Sequence, residues 1–130
     1  MATIKSFTSL EQSRVLAKIL PLESADMYYF DDNGEEPKFK VRNDITYYYD
    51  SEDCLCCWSL AALLDVLPNN KHISTTLSRG GWKIEPTEYV DNWWCEYEDE
   101  IHTKNFSISA DNPVDACVEM IIHLNELKML

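Results

Sequence analysis

Cys54 and Cys57 are the first residues in this chain whose spacing suggests chemistry. A C-x-x-C at the start of a helix lowers a thiol pKa, because the helix N-terminus favours thiolate, and disulfide-exchange centres are built on that effect. Apolar residues run on from the motif (Leu55, Trp58, Leu60, Ala61, Leu63, Leu64, Leu67), so a helix is expected over residues 54–67, capped by Ser51 or Asp53 and stopped by Pro68. Glu52 and Asp53 stand beside the motif and oppose ionisation. Two of the three strands before it read as antiparallel, not as the βαβ context of a redox motif. The expectation is therefore core thiols, with thiol-redox activity as an alternative. Cys54, Cys56, Cys57, Cys95, His72 and His102 are also donors of the right type for zinc. Their spacing is not right: there is no second C-x-x-C, no Cys-x-x-His and no His pair one helical turn apart. No metal, cofactor or catalytic residue is assigned, and zinc joins redox chemistry as an alternative for Cys54 and Cys57.

Carboxylates are abundant, yet no acid/base pair is marked, since a catalytic pair needs environments that separate its pKa values. Asp31, Asp32 and Asn33 precede Gly34 in the manner of a calcium loop, but Tyr29 stands where that loop should open and its closing Glu is missing. Neither a Gly-rich phosphate loop nor a G-x-S-x-G elbow is present. The expectation is a protein that is not an enzyme.

Charge narrows the rest. Asp and Glu number 23 against 11 Lys and Arg, a formal net charge of -12 in 130 residues. Residues 85–100 hold seven acids and no Lys or Arg, interleaved with Tyr89, Trp93, Trp94 and Tyr97. Direct nucleic-acid binding is excluded, because phosphates need basic side chains to replace their counterions. An anionic membrane surface would repel the chain for the same reason. What remains attractive is a protein partner. Trp93 and Trp94 are adjacent, so on a strand only one of them can face the core. A Trp ringed by Glu96, Glu98, Asp99 and Glu100 makes an interface anchor, and these six residues form the candidate binding site. The plainer alternative is that the second sheet face is covered as well, with Glu98, Asp99 and Glu100 as a solvated turn.

The elements that position these residues follow from periodicity. A helix is expected over residues 9–20, with Thr8 and Glu11 as a capping box and Pro21 as its stop. Strands follow at residues 26–30, 38–42 and 45–49, separated by turns at Asp32-Asn33-Gly34 and Asn43-Asp44. Gly80-Gly81 reads as a turn before a strand at residues 82–85, with further strands at 92–97 and 103–109. In the last, Phe106 and Ile108 share a face with His102. Asn112 then caps a final helix that has Pro113 at its first position and a stripe of Val114, Cys117, Val118, Ile121 and Leu124. The fold class expected is α+β: one domain, with an antiparallel sheet of about five or six strands packed by two or three helices. The all-round apolar 54–67 helix is either a core helix or the seam of a homodimer.

No apolar stretch approaches the ~20 residues of a membrane span, and the first residues lack the apolar run of a secretory leader. Five Cys is an odd number for a disulfide framework. A cytoplasmic protein with reduced thiols is expected.

Two stretches add a resemblance. They are Trp58-Ser-Leu-Ala-Ala-Leu-Leu-Asp-Val-Leu-Pro68 and Ala110-Asp-Asn-Pro-Val-Asp-Ala-Cys-Val-Glu-Met-Ile-Ile-His-Leu, the second following Trp93-Trp94 and His102. Over roughly residues 57–130 the chain resembles a group of small uncharacterised proteins of gut bacteria and their phages or mobile elements. The group carries no assigned activity. The resemblance implies a cytoplasmic accessory protein, phage-borne or carried on a mobile element. Two functions follow as expectations: an acidic accessory protein that binds another protein, or an inhibitor that mimics nucleic acid and occupies the basic groove of a host defence nuclease or DNA-binding protein.

Overall fold

The computed structural model describes residues 5–30, 38–41, 54–85, 88–100 and 105–130. The expected turns at Asp32-Asn33-Gly34 and Asn43-Asp44, the strand at 45–49, the caps at Ser51 and Asp53, and His102 lie outside these residues. The fold is α+β, with helices and antiparallel sheets. The chain forms two compact units, Ser6–Val66 and Leu67–Leu130, the latter joined by Lys5. Instead of one sheet of five or six strands, the described strands form two sheets of three.

In the first unit, α1 spans Leu10–Leu16. Its cap is Ser9, one residue later than expected: Gln12 N–H donates to Ser9 Oγ at 3.2 Å, and Ser9 N–H donates to Gln12 Oε1 at 3.0 Å. The helix stops short of residue 20 because the next amides bond three residues back, Lys18 to Val15 and Ile19 to Leu16, which tightens the chain before Pro21. Thr8, displaced from the cap, is fully buried. Strand β1 (Met27–Phe30) is the middle strand, with β2 (Lys38–Val41) on one side and β3 (Cys54–Cys57) on the other, both antiparallel. Met27 lies opposite Val41 and Cys57.

β3 overturns the expected 54–67 helix. Cys54–Cys57 is extended because it pairs along its whole length with β1, and a ladder of that kind overrides local helical patterning. The helix α2 begins only at Leu60 and ends at Val66. Ser59 opens it, its Oγ accepting from Ala62 N–H at 3.2 Å; Ser59 N–H donates to Asp26 Oδ1 at 2.9 Å and its hydroxyl bonds the same carboxylate. Ala62 and Leu63 are buried while Ala61, Leu64 and Asp65 are exposed, so α2 is not buried on every side.

In the second unit, β4 (Ile73–Glu85) and β5 (Glu88–Asp99) form a long antiparallel pair, and β6 (Asn105–Ala110) joins β5 on its other side. Gly80 and Gly81 do not turn; they continue β4 opposite Asn92 and Asp91. The strand expected at 82–85 is thus the end of a longer one. α3 (Pro113–Glu126) matches expectation: Asp115 N–H donates to Asn112 Oδ1 at 2.8 Å, and Pro113 occupies the first turn. Lys5 Nζ pairs with Asp115 at 2.8 Å, placing a cation against a first-turn acid. α3 lies over β5 and β6, with Val114, Cys117, Val118, Ile121 and Leu124 buried. Among the described residues, no helix is long and apolar enough to cross a membrane.

Candidate functional site

Strand β5 carries most of the candidate residues, and the two-residue period of a strand sorts them. Cys95 and Tyr97 are buried on the face covered by α3. Tyr97 stacks on Phe106 at 5.6 Å, and Phe106 in turn meets the His123 ring of α3 edge-on at 5.0 Å. Cys95 and Cys117 share a side-chain hydrogen bond between strand and helix. That bond, with burial, pushes the Cys117 thiol up; the same bond holds the Cys95 thiol below its ordinary value, against burial. Glu96 and Glu98 project to the other face and are exposed, and Trp94 beside them is half-buried.

The pairing of three strands turns this into a regular surface. Glu98 lies between Ser74 and Asn105, Glu96 between Thr76 and Ser107, and Trp94 between Ser78 and Ser109. All six flanking residues are exposed. The face is therefore three ranks deep, with carboxylate, carboxylate and indole down the centre and hydroxyls or an amide on either side. These nine positions contain no Lys or Arg. A concavity of about 260 Å³ opens between β5 and β6, with Glu96, Glu98, Asn105 and Ser107 in its lining.

Three of the six candidate residues thus come together: Trp94, Glu96 and Glu98. Trp93 faces the opposite way, half-buried, with the Arg79 guanidinium 5.7 Å from its ring centroid. Asp99 is half-buried at the end of β5. Glu100 lies just past the strand, where its carboxylate bonds His72 Nδ1 and its N–H donates to the His72 carbonyl at 2.7 Å. It closes the open end of the β4–β5 pair rather than extending the face.

The flanking hydroxyls were not singled out from sequence. Their signal was present in alternation: Ser74, Thr76 and Ser78 with Thr75 and Leu77 between them, and Asn105, Ser107 and Ser109 with Phe106 and Ile108 between them.

The Cys54/Cys57 motif sits on β3, so no helix N-terminus is available to favour thiolate there. Cys57 is fully buried, and burial pushes its thiol up, against hydrogen bonds from Thr8, Ser13 and Tyr29 that favour ionisation. Among the described residues, no three His, Cys, Asp or Glu side chains cluster as a metal site.

Comparison of the chain with protein-family models, with curated proteins and with solved structures gave no match.

Proposed function

We propose that this chain is a non-enzymatic accessory protein of the cytoplasm that binds another protein, and that the open face of β4, β5 and β6 is its docking surface. The observation that carries this reading is the grouping of Trp94, Glu96 and Glu98 on one exposed sheet face while their neighbours Cys95 and Tyr97 hold the core. An indole supplies apolar contact area with a fixed shape, and the carboxylates steer a basic partner. The resemblance to small proteins of gut bacteria and their phages fits an accessory role carried on a phage or mobile element.

A second reading has its own observation. Glu96 and Glu98 repeat at the two-residue spacing of a strand, about 6.8 Å, which is about twice the rise between phosphates of one DNA strand. Carboxylates at that repeat favour mimicry of nucleic acid against the basic groove of a nuclease or DNA-binding protein.

A pull-down from host lysate tests both, with the wild-type chain, Trp94→Ala and the double variant Glu96→Lys, Glu98→Lys compared at low and high salt. Docking through this face predicts a captured protein that Trp94→Ala loses at either salt. Mimicry predicts a nuclease or DNA-binding protein, captured at low salt alone and lost with charge reversal. Capture indifferent to both variants would overturn the assignment of the face.

A further inference from the structure

Two thiols meet in the core of the second unit. Cys95 lies on β5, the central strand of its sheet, in register with Leu77 on β4 and Ile108 on β6. It stands on the face that α3 covers. Cys117 belongs to the buried stripe of that helix, and its S–H donates to Cys95 Sγ. Both residues are fully buried, and both are free thiols. Cys57 in the first unit is equally buried but keeps different company. Its sulfur lies 3.5 Å from both the hydroxyl and the carbonyl oxygen of Thr8, and Cys56, its neighbour on β3, faces the other way. Oxygen partners form no disulfide. A sulfur partner held by the fold can, because sulfurs already in hydrogen-bond contact need only a short further approach to bond.

The bond between the two thiols also divides their roles. It favours ionisation of Cys95 and keeps the proton on Cys117. The thiolate is the form that attacks an oxidant, so Cys95 reacts first. Burial selects the oxidant. A bulky disulfide is kept from a sulfur that is fully covered, whereas a peroxide little larger than water reaches it when α3 lifts locally from the sheet.

We propose that Cys95 and Cys117 form a peroxide-oxidation site whose disulfide ties α3 to β5. The Cys95 sulfur attacks one oxygen of hydrogen peroxide. An S–O bond forms, the O–O bond breaks, and the departing hydroxide takes up the Cys95 proton and leaves as water. Cys95 is then a sulfenic acid. The Cys117 sulfur attacks the Cys95 sulfur; the S–S bond forms, the S–O bond breaks, and the second hydroxide leaves with the Cys117 proton as water. Two thiols lose two electrons and two protons, and one peroxide becomes two waters. The new bond closes a loop that holds β6 and the first turn of α3, so oxidation stabilises the second unit, and a thiol reductant reverses it. This chemistry is independent of the docking role proposed for the open face, since Cys95 lies on the opposite side of β5 from Trp94 and Glu96.

The test treats the full folded chain with hydrogen peroxide, removes the peroxide with catalase, alkylates the remaining thiols in denaturant and maps the peptides. Met129, half-buried near the C-terminus, is an internal clock, because its sulfoxide forms under the same treatment. The expected product is a Cys95–Cys117 linked peptide that appears no later than the Met129 sulfoxide and is lost with dithiothreitol. Cys57 should be recovered as an alkylated thiol. The thermal midpoint of the oxidised chain should lie about 10 °C above that of the same sample after dithiothreitol, which leaves sulfoxides in place. In Cys117→Ala, Cys95 has no resolving thiol, so it should advance to the sulfinic acid and the midpoint should not rise. If that variant fails to fold, the wild-type map and midpoint decide alone. Absence of the linked peptide once Met129 is converted, linkage in denaturant only, another pairing as the main product, or linkage without a rise in midpoint would overturn the proposal.

Discussion

The two three-stranded sheets treat polar groups in opposite ways. In the first unit, polar groups are buried and bonded to one another. Thr8 Oγ1 lies 2.8 Å from Ser13 Oγ and 3.5 Å from Cys57 Sγ, and accepts Trp58 N–H at 3.1 Å; the Thr8 carbonyl accepts the Tyr29 hydroxyl at 2.6 Å. Thr8, Ser13, Cys57 and Trp58 are all fully buried. In the second unit, Ser74, Thr76, Ser78, Glu96, Glu98, Ser107 and Ser109 are exposed on one face, while Cys95 and Tyr97 are buried on the other, with the Thr75 hydroxyl among the buried residues described there. A buried network fixes one arrangement and is expensive to break, because each orphaned group has lost its water. An exposed row makes fewer demands on folding, because its polar groups keep their contact with water. The difference separates what specifies the fold from what is offered for binding.

The sharpest way to break the comparison is Thr8→Val. The substitution keeps the shape and removes the hydroxyl, leaving the buried Trp58 N–H and Ser13 hydroxyl each short of a partner. A loss of about 3 kcal/mol is expected in denaturant unfolding. A loss below about 1 kcal/mol would show that the network is not what holds this unit's interior.

Next in size is Tyr29→Phe, which removes the bond to the Thr8 carbonyl and should cost about 1 kcal/mol at neutral pH. The same residue makes a pH prediction. Burial, with the nearby Cys57, pushes the Tyr29 hydroxyl from 10.0 up to about 12, and burial likewise raises the Cys57 thiol above 9.0. Both groups hold their protons more tightly in the folded chain. The stability this gives is complete below the ordinary values and is lost as pH rises through the raised ones. The thermal midpoint of the wild type should therefore fall from about pH 9 towards about pH 12. Tyr29→Phe should start lower and fall less steeply. Parallel curves for the two proteins would show that Tyr29 does not carry the alkaline loss.

The parts of this molecule readable in its sequence are those governed by neighbours in the chain. α3 is legible in full, because Asn112, Pro113 and the stripe from Val114 to Leu124 are local signals that agree. The alternation of Trp94, Glu96 and Glu98 with Cys95 and Tyr97 is legible too, since a strand imposes it. What escaped is governed by distant partners. Residues 54–57 look helical with Leu60 to Leu64 behind them, yet β1 takes them as a strand. Gly80-Gly81 looks like a turn, yet pairing with Asp91 and Asn92 keeps it extended. The same limit applied to the site. The acids and Trp94 stand out by type, whereas Ser74, Thr76, Ser107 and Ser109 acquire meaning only when the register of three strands sets them beside Glu96 and Glu98.

The finest test of the comparison lies in two adjacent residues of β4. Thr75 is buried: its hydroxyl donates to the Pro68 carbonyl at 2.7 Å and its N–H to Asn69 Oδ1 at 2.8 Å. Thr76 is exposed on the open face beside Glu96. Valine replaces threonine with little change of shape and equal ease in a strand, so the two substitutions differ chiefly in what the lost hydroxyl was doing. Thr75→Val leaves the Pro68 carbonyl without that donor and should cost about 1 kcal/mol. Thr76→Val gives up a hydroxyl already in water and should stay within about 0.5 kcal/mol of wild type. Its effect belongs to binding: an apolar group beside Glu96 removes one hydrogen-bonding position from the proposed docking surface, and capture of a partner through that surface should weaken about twofold. A Thr76→Val protein as destabilised as Thr75→Val would mean that the open face helps hold the fold, and the division between the two faces of β4 would have to be redrawn.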